Sequence, residues 1–320
     1  MLTSPANAYV FFPGGFGTFD EFFEVIDHIE SGSMCRVPIV LVGKEFWEPI
    51  LNFLREKCVS IKAISVQDLD HWHVTDSVDE AMKYIQSNEV DEIGCELSPM
   101  HFYSNTKNVD WRIFRIMAEL VEGFEFLTGL VENVTILGTR RIKVSSSHYK
   151  DARSLAKILG KNGYTILTGG GSGIAEAANR GASEVGAASL GVVMEVKGQT
   201  FLNRYVSKSI VFKFPFTRKL IVTSPSKAFV FFPGGFGTLH QLFEVLTLIQ
   251  TKKMEPVPIF LYDSKFWAPL HDFIQNELAG HVKTISRDDV ALYEVTDDIN
   301  MVARKINTFR HRSDLGERSL

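Results

Sequence analysis

The sequence predicts a doubly wound α/β fold, a parallel sheet with helices on both faces, preceded by a partial copy of the fold's second half. Three observations predict it. Short apolar runs alternate with helix-length segments through residues 132–310, the pattern of a parallel sheet covered on both sides. Two glycine-rich turns, Gly169-Gly170-Gly171-Ser172-Gly173 and Pro233-Gly234-Gly235-Phe236-Gly237-Thr238, each fall between a strand and a helix. Residues 3–24 return as residues 223–244, with 15 of 22 positions identical at an offset of 220. A match of that length marks a duplication.

The front copy comes first in the chain. Val10-Phe11-Phe12 reads as a buried strand, like its duplicate Val230-Phe231-Phe232. The likeness continues from Val37-Pro38-Ile39 to Val257-Pro258-Ile259 and from Phe46-Trp47 to Phe266-Trp267. After a one-residue shift, Val74-Thr75-Asp76 matches Val295-Thr296-Asp297. About 90 residues precede the second copy of the motif, whereas Met1 aligns with Ile221. Residues 1–86 therefore read as a half-domain. Such a piece has a long open sheet edge, which we expect another element or chain to cover. Residues 87–131 read as a linker, polar from Ser87 to Thr106, followed by an amphipathic helix over Trp111–Leu127 that packs on the next domain.

Residues 132–310 read as the complete domain, and 311–320 as a polar tail. In order, strands are expected at Val134–Gly138, Tyr164–Leu167, Ser189–Glu195, Ser209–Phe214, Ala228–Phe232 and Pro258–Tyr262. Helices are expected at Tyr149–Asn162, Ile174–Val185, Leu239–Thr251, Lys265–Leu278 and Asp297–Thr308, with Arg218 in a short helix. In such sheets ligands bind beyond the carboxyl ends of the strands. Both glycine turns fall at that edge.

Composition narrows the function. Net charge is −4, without a long basic run, which argues against nucleic acid held through its phosphates. No stretch of about 18 uncharged apolar residues suggests a membrane span, and no secretory leader is visible. A cytoplasmic protein is expected. Cys35, Cys58 and Cys95 lack metal-ligand spacing and read as buried or free thiols in a reducing compartment. His71 and His73 flank Trp72 without a partner at metal spacing. No metal or cofactor is expected.

The glycine turns carry the chemistry. Gly169, Gly170, Gly171, Ser172 and Gly173 let the backbone approach a ligand closely, and the following helix presents free N–H groups suited to a phosphate. Pro233, Gly234, Gly235, Gly237 and Thr238 repeat that logic, with Thr238 adding a hydroxyl at the helix start. Gly14, Gly15, Gly17 and Thr18 do the same in the front copy. Neither turn has the spacing or the Gly-Lys-Ser/Thr ending of a nucleoside-triphosphatase loop.

With GGGSGIAEAANRGA at 169–182, Arg218-Lys219, and PGGFGTLHQ at 233–241 in order, the chain resembles the Lonely Guy (LOG) phosphoribohydrolases, often mislabelled lysine decarboxylases. The likeness spans about residues 110–310, and the front copy adds PGGFGTFDE at 13–21. It implies a Rossmann-like fold and a nucleoside 5′-monophosphate such as AMP as substrate. It further implies hydrolysis of the N-glycosidic bond to a free base and ribose 5-phosphate. Phosphate binding falls to the glycine turns and Lys219, with Arg218 catalytic, in a homodimer or an internal pseudo-dimer. A lysine decarboxylase is rejected, since that chemistry usually uses a pyridoxal phosphate Schiff-base lysine and no lysine here is singled out.

The pattern breaks at one place. The glutamate closing PGGxGTxxE is Gln241 here, and the neighbouring acidic position is His240. Glutamine can hydrogen-bond ribose but cannot act as a base. The front copy keeps Asp20 and Glu21 but lacks the Arg-Lys pair and the GGGxxG turn. Three expectations follow: Glu21 completes the site across an internal pseudo-dimer interface; the protein binds nucleotides without turning them over, as a sensor or carrier; or it is a truncated or decaying gene product, folded but idle. His240, next to the loop, is of a type able to act as an acid near neutral pH, but reads first as a solvated side chain at the helix start.

Overall fold

The computed structural model describes residues 6–88 and 109–309, apart from Ser33, Cys35, His71, Val131, Lys197 and Pro225. The expected linker over Ser87–Thr106 lies almost wholly outside the described residues, as do Cys35, Cys95, His71 and the tail. The chain divides into two compact units. One comprises residues 1–118, 235–247 and 269–290; the other comprises 119–234, 248–268 and 291–320.

The second unit holds a seven-stranded, wholly parallel sheet in the order β10-β9-β8-β4-β5-β6-β7. Its strands are β4 (Asn133–Leu137), β5 (Thr165–Thr168), β6 (Ser189–Met194), β7 (Lys208–Phe212), β8 (Ala228–Phe231), β9 (Ile259–Tyr262) and β10 (Glu294–Thr296). From β4 the chain winds outward through β5 to β7, then returns to β8 on the other side of β4. The junction of β4 and β8 is thus the switch point where doubly wound sheets open a crevice. Val134, Ile136, Val230 and Phe260 bury one face against α5 (Ser147–Lys161) and α6 (Ile174–Ser183), through Tyr149, Leu155, Leu159 and Ile174. The fold is the expected Rossmann-like α/β class.

The first unit holds a three-stranded parallel sheet, β1-β2-β3, from β1 (Tyr9–Phe11), β2 (Ile39–Val42) and β3 (Trp72–Thr75). This is the second half of the fold in duplicate. Tyr9 pairs with Ile39 and Val40 with His73; in the complete copy Phe229 pairs with Ile259 and Phe260 with Glu294. The Trp47 indole donates to the Val42 carbonyl and the Trp267 indole to the Tyr262 carbonyl, both at 3.0 Å.

The duplicated helices α1 (Phe16–Glu30) and α8 (Phe236–Gln250) meet inside this unit. Phe243 stacks on Phe19 at 5.1 Å and on Phe23 at 5.6 Å. The glycine turns make reciprocal contacts. A Cβ at Gly15 would lie 2.9 Å from the Thr284 carbonyl oxygen, and one at Gly235 would lie 3.0 Å from the Ala63 carbonyl oxygen. Ala63 and Thr284 are themselves duplicates once the one-residue shift is counted. Within this unit, α1 with its turn and α8 with its turn therefore pack on one another reciprocally.

Three local expectations are corrected. Val10-Phe11-Phe12 is not a buried strand throughout. Val10 is 43% exposed and Phe12 60%, whereas Val230 and Phe232 are fully buried. The cause is topological: β8 pairs with β4, while among the described residues no strand borders β1 on that side. The helix expected from Leu239 starts at Phe236, so Gly237 and Thr238 lie in its first turn. The helix expected over Lys265–Leu278 stops at Phe273 and widens into a π-turn over Ile274–His281. The front copy does the same at Leu54–Val59. In both copies the π segment begins five residues after a proline inside the helix, Pro49 or Pro269.

Candidate functional site

Thr139, just past β4, ties the two glycine turns of the complete domain together. Its N–H donates to the Pro233 carbonyl at 2.9 Å, and its carbonyl accepts from the Ile174 N–H at 3.1 Å. The start of one turn and the end of the other therefore lie side by side at the carboxyl ends of β4, β5 and β8. Gly173 has φ +70°, and a Cβ there would strike the Thr139 carbonyl oxygen at 2.4 Å, so glycine is required. The Ser172 hydroxyl donates to the Arg140 carbonyl at 3.0 Å.

Arg218 comes to the same rim from α7 (Pro215–Thr223). Its Nε donates to the Val192 carbonyl at 2.9 Å. A Cβ at Gly169 would come within 2.9 Å of its Nη2. The guanidinium thus rests on the glycine turn, and Lys219 follows on the same helix. The helix start is anchored by Glu119, a buried residue near the middle of α4 (Val109–Leu127). Its carboxylate accepts from the Lys213 N–H at 2.8 Å, the Phe214 N–H at 3.3 Å and the Thr217 hydroxyl at 2.6 Å. Free helix-start donors are being satisfied by a residue 94 or more positions away. Neither Thr139 nor Glu119 was legible as a site residue, because their roles come from backbone placement and tertiary packing.

The remaining residues lie in the first unit, which begins again at Gly235. Thr18 and Thr238 each donate their N–H to the carbonyl of the second glycine of their turn, Gly15 or Gly235, at 3.0 Å. Gln241 is buried on α8 and Glu21 is exposed on α1. Partial burial, with Asp20 and Glu24 close by, raises the Glu21 pKa above the usual carboxylate range. His240 is not solvated. It is 3% exposed, with Nδ1 3.5 Å from Asp27 and Nε2 3.8 Å from Asp20. Its burial follows from the packing of α8 on α1. The structure thus brings Gly169–Gly173, Arg218, Lys219, Pro233 and Gly234 into one unit. Gly235, Gly237, Thr238, Gln241, Gly14, Gly15, Gly17, Thr18 and Glu21 fall in the other.

Among the described residues no group of three or more His, Cys, Asp or Glu side chains is placed to hold a metal ion, and no helix is long and apolar enough to cross a membrane. Cys58 is a buried free thiol.

The parallel sheet, the switch point and the glycine turns define a nucleotide-binding α/β fold. A protein-family model described as possible lysine decarboxylase matches residues 1–85 and 175–306, more than half of the chain. The chain belongs to that family, the LOG group. The match takes in both copies of the repeat. No curated protein matches the chain.

Among solved structures, the structural-genomics protein TM1055 is similar at 19% identity, covering 56% of this chain and 99% of that one, with a TM-score of 0.43. The molybdenum cofactor binding protein from the phototrophic bacterium Rippkaea orientalis shows 17% identity, covering 55% and 96%, with a TM-score of 0.43. The molybdenum cofactor carrier protein from Chlamydomonas reinhardtii shows 21% identity, covering 58% and 99%, with a TM-score of 0.41.

Proposed function

We propose that this chain binds a nucleoside 5′-monophosphate and hydrolyses its N-glycosidic bond, releasing a free base and ribose 5-phosphate. The observation that carries the reading is the meeting of both glycine turns at Thr139, with Arg218 lying on Gly169. Main-chain N–H groups at a helix start and a guanidinium both suit a phosphate monoester. In the reaction water adds to the anomeric carbon as the carbon–nitrogen bond breaks, and the base leaves with a proton. The ribose acquires oxocarbenium character that a carboxylate stabilises.

Gln241 cannot be that carboxylate. Of the two copies of the motif, only the front one keeps it, so turnover is assigned to depend on Glu21. The reciprocal packing of α1 and α8 supports an internal pseudo-dimer in place of a two-chain dimer.

The test is release of free base from AMP and related monophosphates by the full chain, with AMP binding followed by calorimetry. Glu21→Gln is expected to lower turnover by roughly 10²-fold or more while leaving AMP binding in place. Activity that survives this substitution overturns the role of Glu21. Gln241 favours one other reading, a protein that binds nucleotides as a sensor or carrier. AMP binding without base release would establish that reading. Absence of both ends the nucleotide proposal.

A further inference from the structure

Beneath the first glycine turn lies a buried amide network that the phosphate-binding reading does not use. Asn203, 6% exposed, sits in the segment between β6 and β7. Its N–H donates to the Gly170 carbonyl at 2.9 Å. Its side-chain Nδ2 lies 2.9 Å from the Gly170 carbonyl, 2.9 Å from the Gly171 carbonyl and 2.8 Å from the Asn179 Oδ1. The Tyr205 N–H donates to its Oδ1 at 3.1 Å, which fixes which way the amide faces. Asn179 is fully buried and held in turn. Its Oδ1 accepts from the Thr168 hydroxyl, and its Nδ2 donates to Ser189 Oγ, both at 2.8 Å. The Gly170 N–H donates to Thr168 Oγ1 at 2.9 Å.

The consequence is directional. Two successive carbonyls of the turn are drawn inward onto one amide. Gly170 can follow because it has φ +70°, and the walls beside it leave no room for a Cβ, which would lie 2.8 Å from Val193. Among the described residues, no protein acceptor takes the N–H groups of Gly171, Ser172 or Gly173. Successive N–H groups left unclaimed in such a turn form a concavity for an anion.

We propose that Asn203 is the positioning residue of the phosphate site. It holds the Gly170 and Gly171 carbonyls inward, so that the N–H groups of the turn are aimed at the ligand. Asn203 itself touches no ligand. The proposal rests on the phosphate-binding reading of this turn, and its test has one arm that does not.

The full chain is compared with Asn203→Asp, Asn203→Ser and Asn203→Ala. Aspartate keeps the volume and the acceptor for Tyr205, but sets a carboxylate against three oxygens. Serine keeps a single donor. The first arm is amide hydrogen exchange of the unliganded protein, read at the bonded turn amides of Gly170 and Ile174 and, as control, over α5. Exchange is expected to accelerate about tenfold or more in the turn for the aspartate and alanine variants, as loss of one or two buried hydrogen bonds implies, and to stay unchanged in α5. The second arm is calorimetry with AMP and with adenosine. AMP affinity is expected to fall about tenfold or more, least for serine, while adenosine, which lacks the phosphate, moves less than about threefold.

Unchanged exchange in the turn overturns the proposal. So does an equal loss of AMP and adenosine affinity, or a loss of protection spread over the whole unit, since either would mark general destabilisation. If the unsubstituted chain binds no AMP, the function proposed above fails, and the exchange arm alone decides the role of Asn203.

Discussion

Gly237 on α8 packs against the carboxylate of Asp27 on α1, so closely that a Cβ at Gly237 would lie 2.9 Å from Oδ1. The duplicated pair has relaxed. A Cβ at Gly17 would meet only the Thr247 methyl, at 3.9 Å. Thr247 stands where the front copy has Asp27. One helix crossing thus contains a tight half and a loose half, although both glycines come from the same motif. Gly237→Ala must displace a carboxylate that also faces His240 at 3.5 Å, which offsets the helix propensity that alanine gains, and is expected to be less stable than Gly17→Ala by about 1 kcal/mol. Gly17→Ala gains helix propensity without a clash, and is expected to be neutral or stabilising by up to about 1 kcal/mol. Denaturant unfolding of both variants checks the asymmetry. Equal losses would show that the crossing tolerates neither.

His240 replaces an acidic residue of the front copy, Asp20, and the structure explains why the acidic residue does not suit. The ring is buried between Asp20 and Asp27, and meets the His28 ring edge-on at 6.3 Å. Restoring the repeat with His240→Asp would place a third carboxylate between two others. A loss of roughly 1–3 kcal/mol is expected, because like charges crowd in a partly desolvated space. His240→Asn, which keeps a donor, is expected to lose less. The comparison is made by thermal or denaturant unfolding at neutral pH. An aspartate variant as stable as the parent would remove the clamp.

Much of this was legible in the sequence, and what escaped has physical causes. The alternation of apolar runs and helices placed six of the seven strands of the sheet; the three-residue β10 escaped because so short a run carries too little pattern to be read as a strand. The glycine turns were placed at the correct sheet edge, because strand–glycine–helix order forces that position in a parallel sheet. Burial of Val10 and Phe12 was not legible. Identical residues are buried in one copy and exposed in the other, depending on whether β4 stands beside them. The burial of His240 escaped because a helix-start histidine shows no sign of the helix that will cover it. Glu119 and Asn203 escaped because their partners are main-chain groups far away in the chain.

Asp263 gives a pH-dependent prediction. It stands where the front copy has Gly43, and like Gly43 it adopts a left-handed backbone, φ +87° against +101°. Burial raises its pKa. The hydrogen bond and charge of His148, 2.7 Å away, together with the Phe266 and Lys265 N–H groups, outweigh that, and the net shift is downward. A carboxyl whose folded pKa lies below its unfolded value stabilises the fold above the unfolded pKa, near 4. That contribution is lost as pH falls through the lowered value. Asp263→Asn tolerates the left-handed backbone but carries no charge. It is expected to be less stable than the parent at pH 6, and the gap is expected to narrow as pH falls through the lowered value. Unfolding measured from pH 7 down to pH 3 checks this, and a gap that stays constant with pH would show that the ion pair contributes nothing.

The last prediction uses the duplication as its own control. Phe232 is fully buried, meets the Tyr262 ring at a tilt with centroids 4.8 Å apart, and has its Cβ close enough to bar one at Gly138. Its duplicate Phe12 is 60% exposed. The side chain and its flanking residues are the same, Val-Phe-Phe-Pro-Gly-Gly-Phe-Gly-Thr in both copies, so local propensity cancels in a comparison. Phe232→Ala opens a cavity in a packed layer and is expected to cost about 3–5 kcal/mol. Phe12→Ala removes apolar surface that already faces solvent, and is expected to change stability by less than about 0.5 kcal/mol. Denaturant unfolding of the two variants gives the numbers directly. A large loss from Phe12→Ala would mean that β1 is covered in solution by another chain or segment. Repeating the measurement over a range of protein concentrations separates the two, because only a second chain makes the loss depend on concentration.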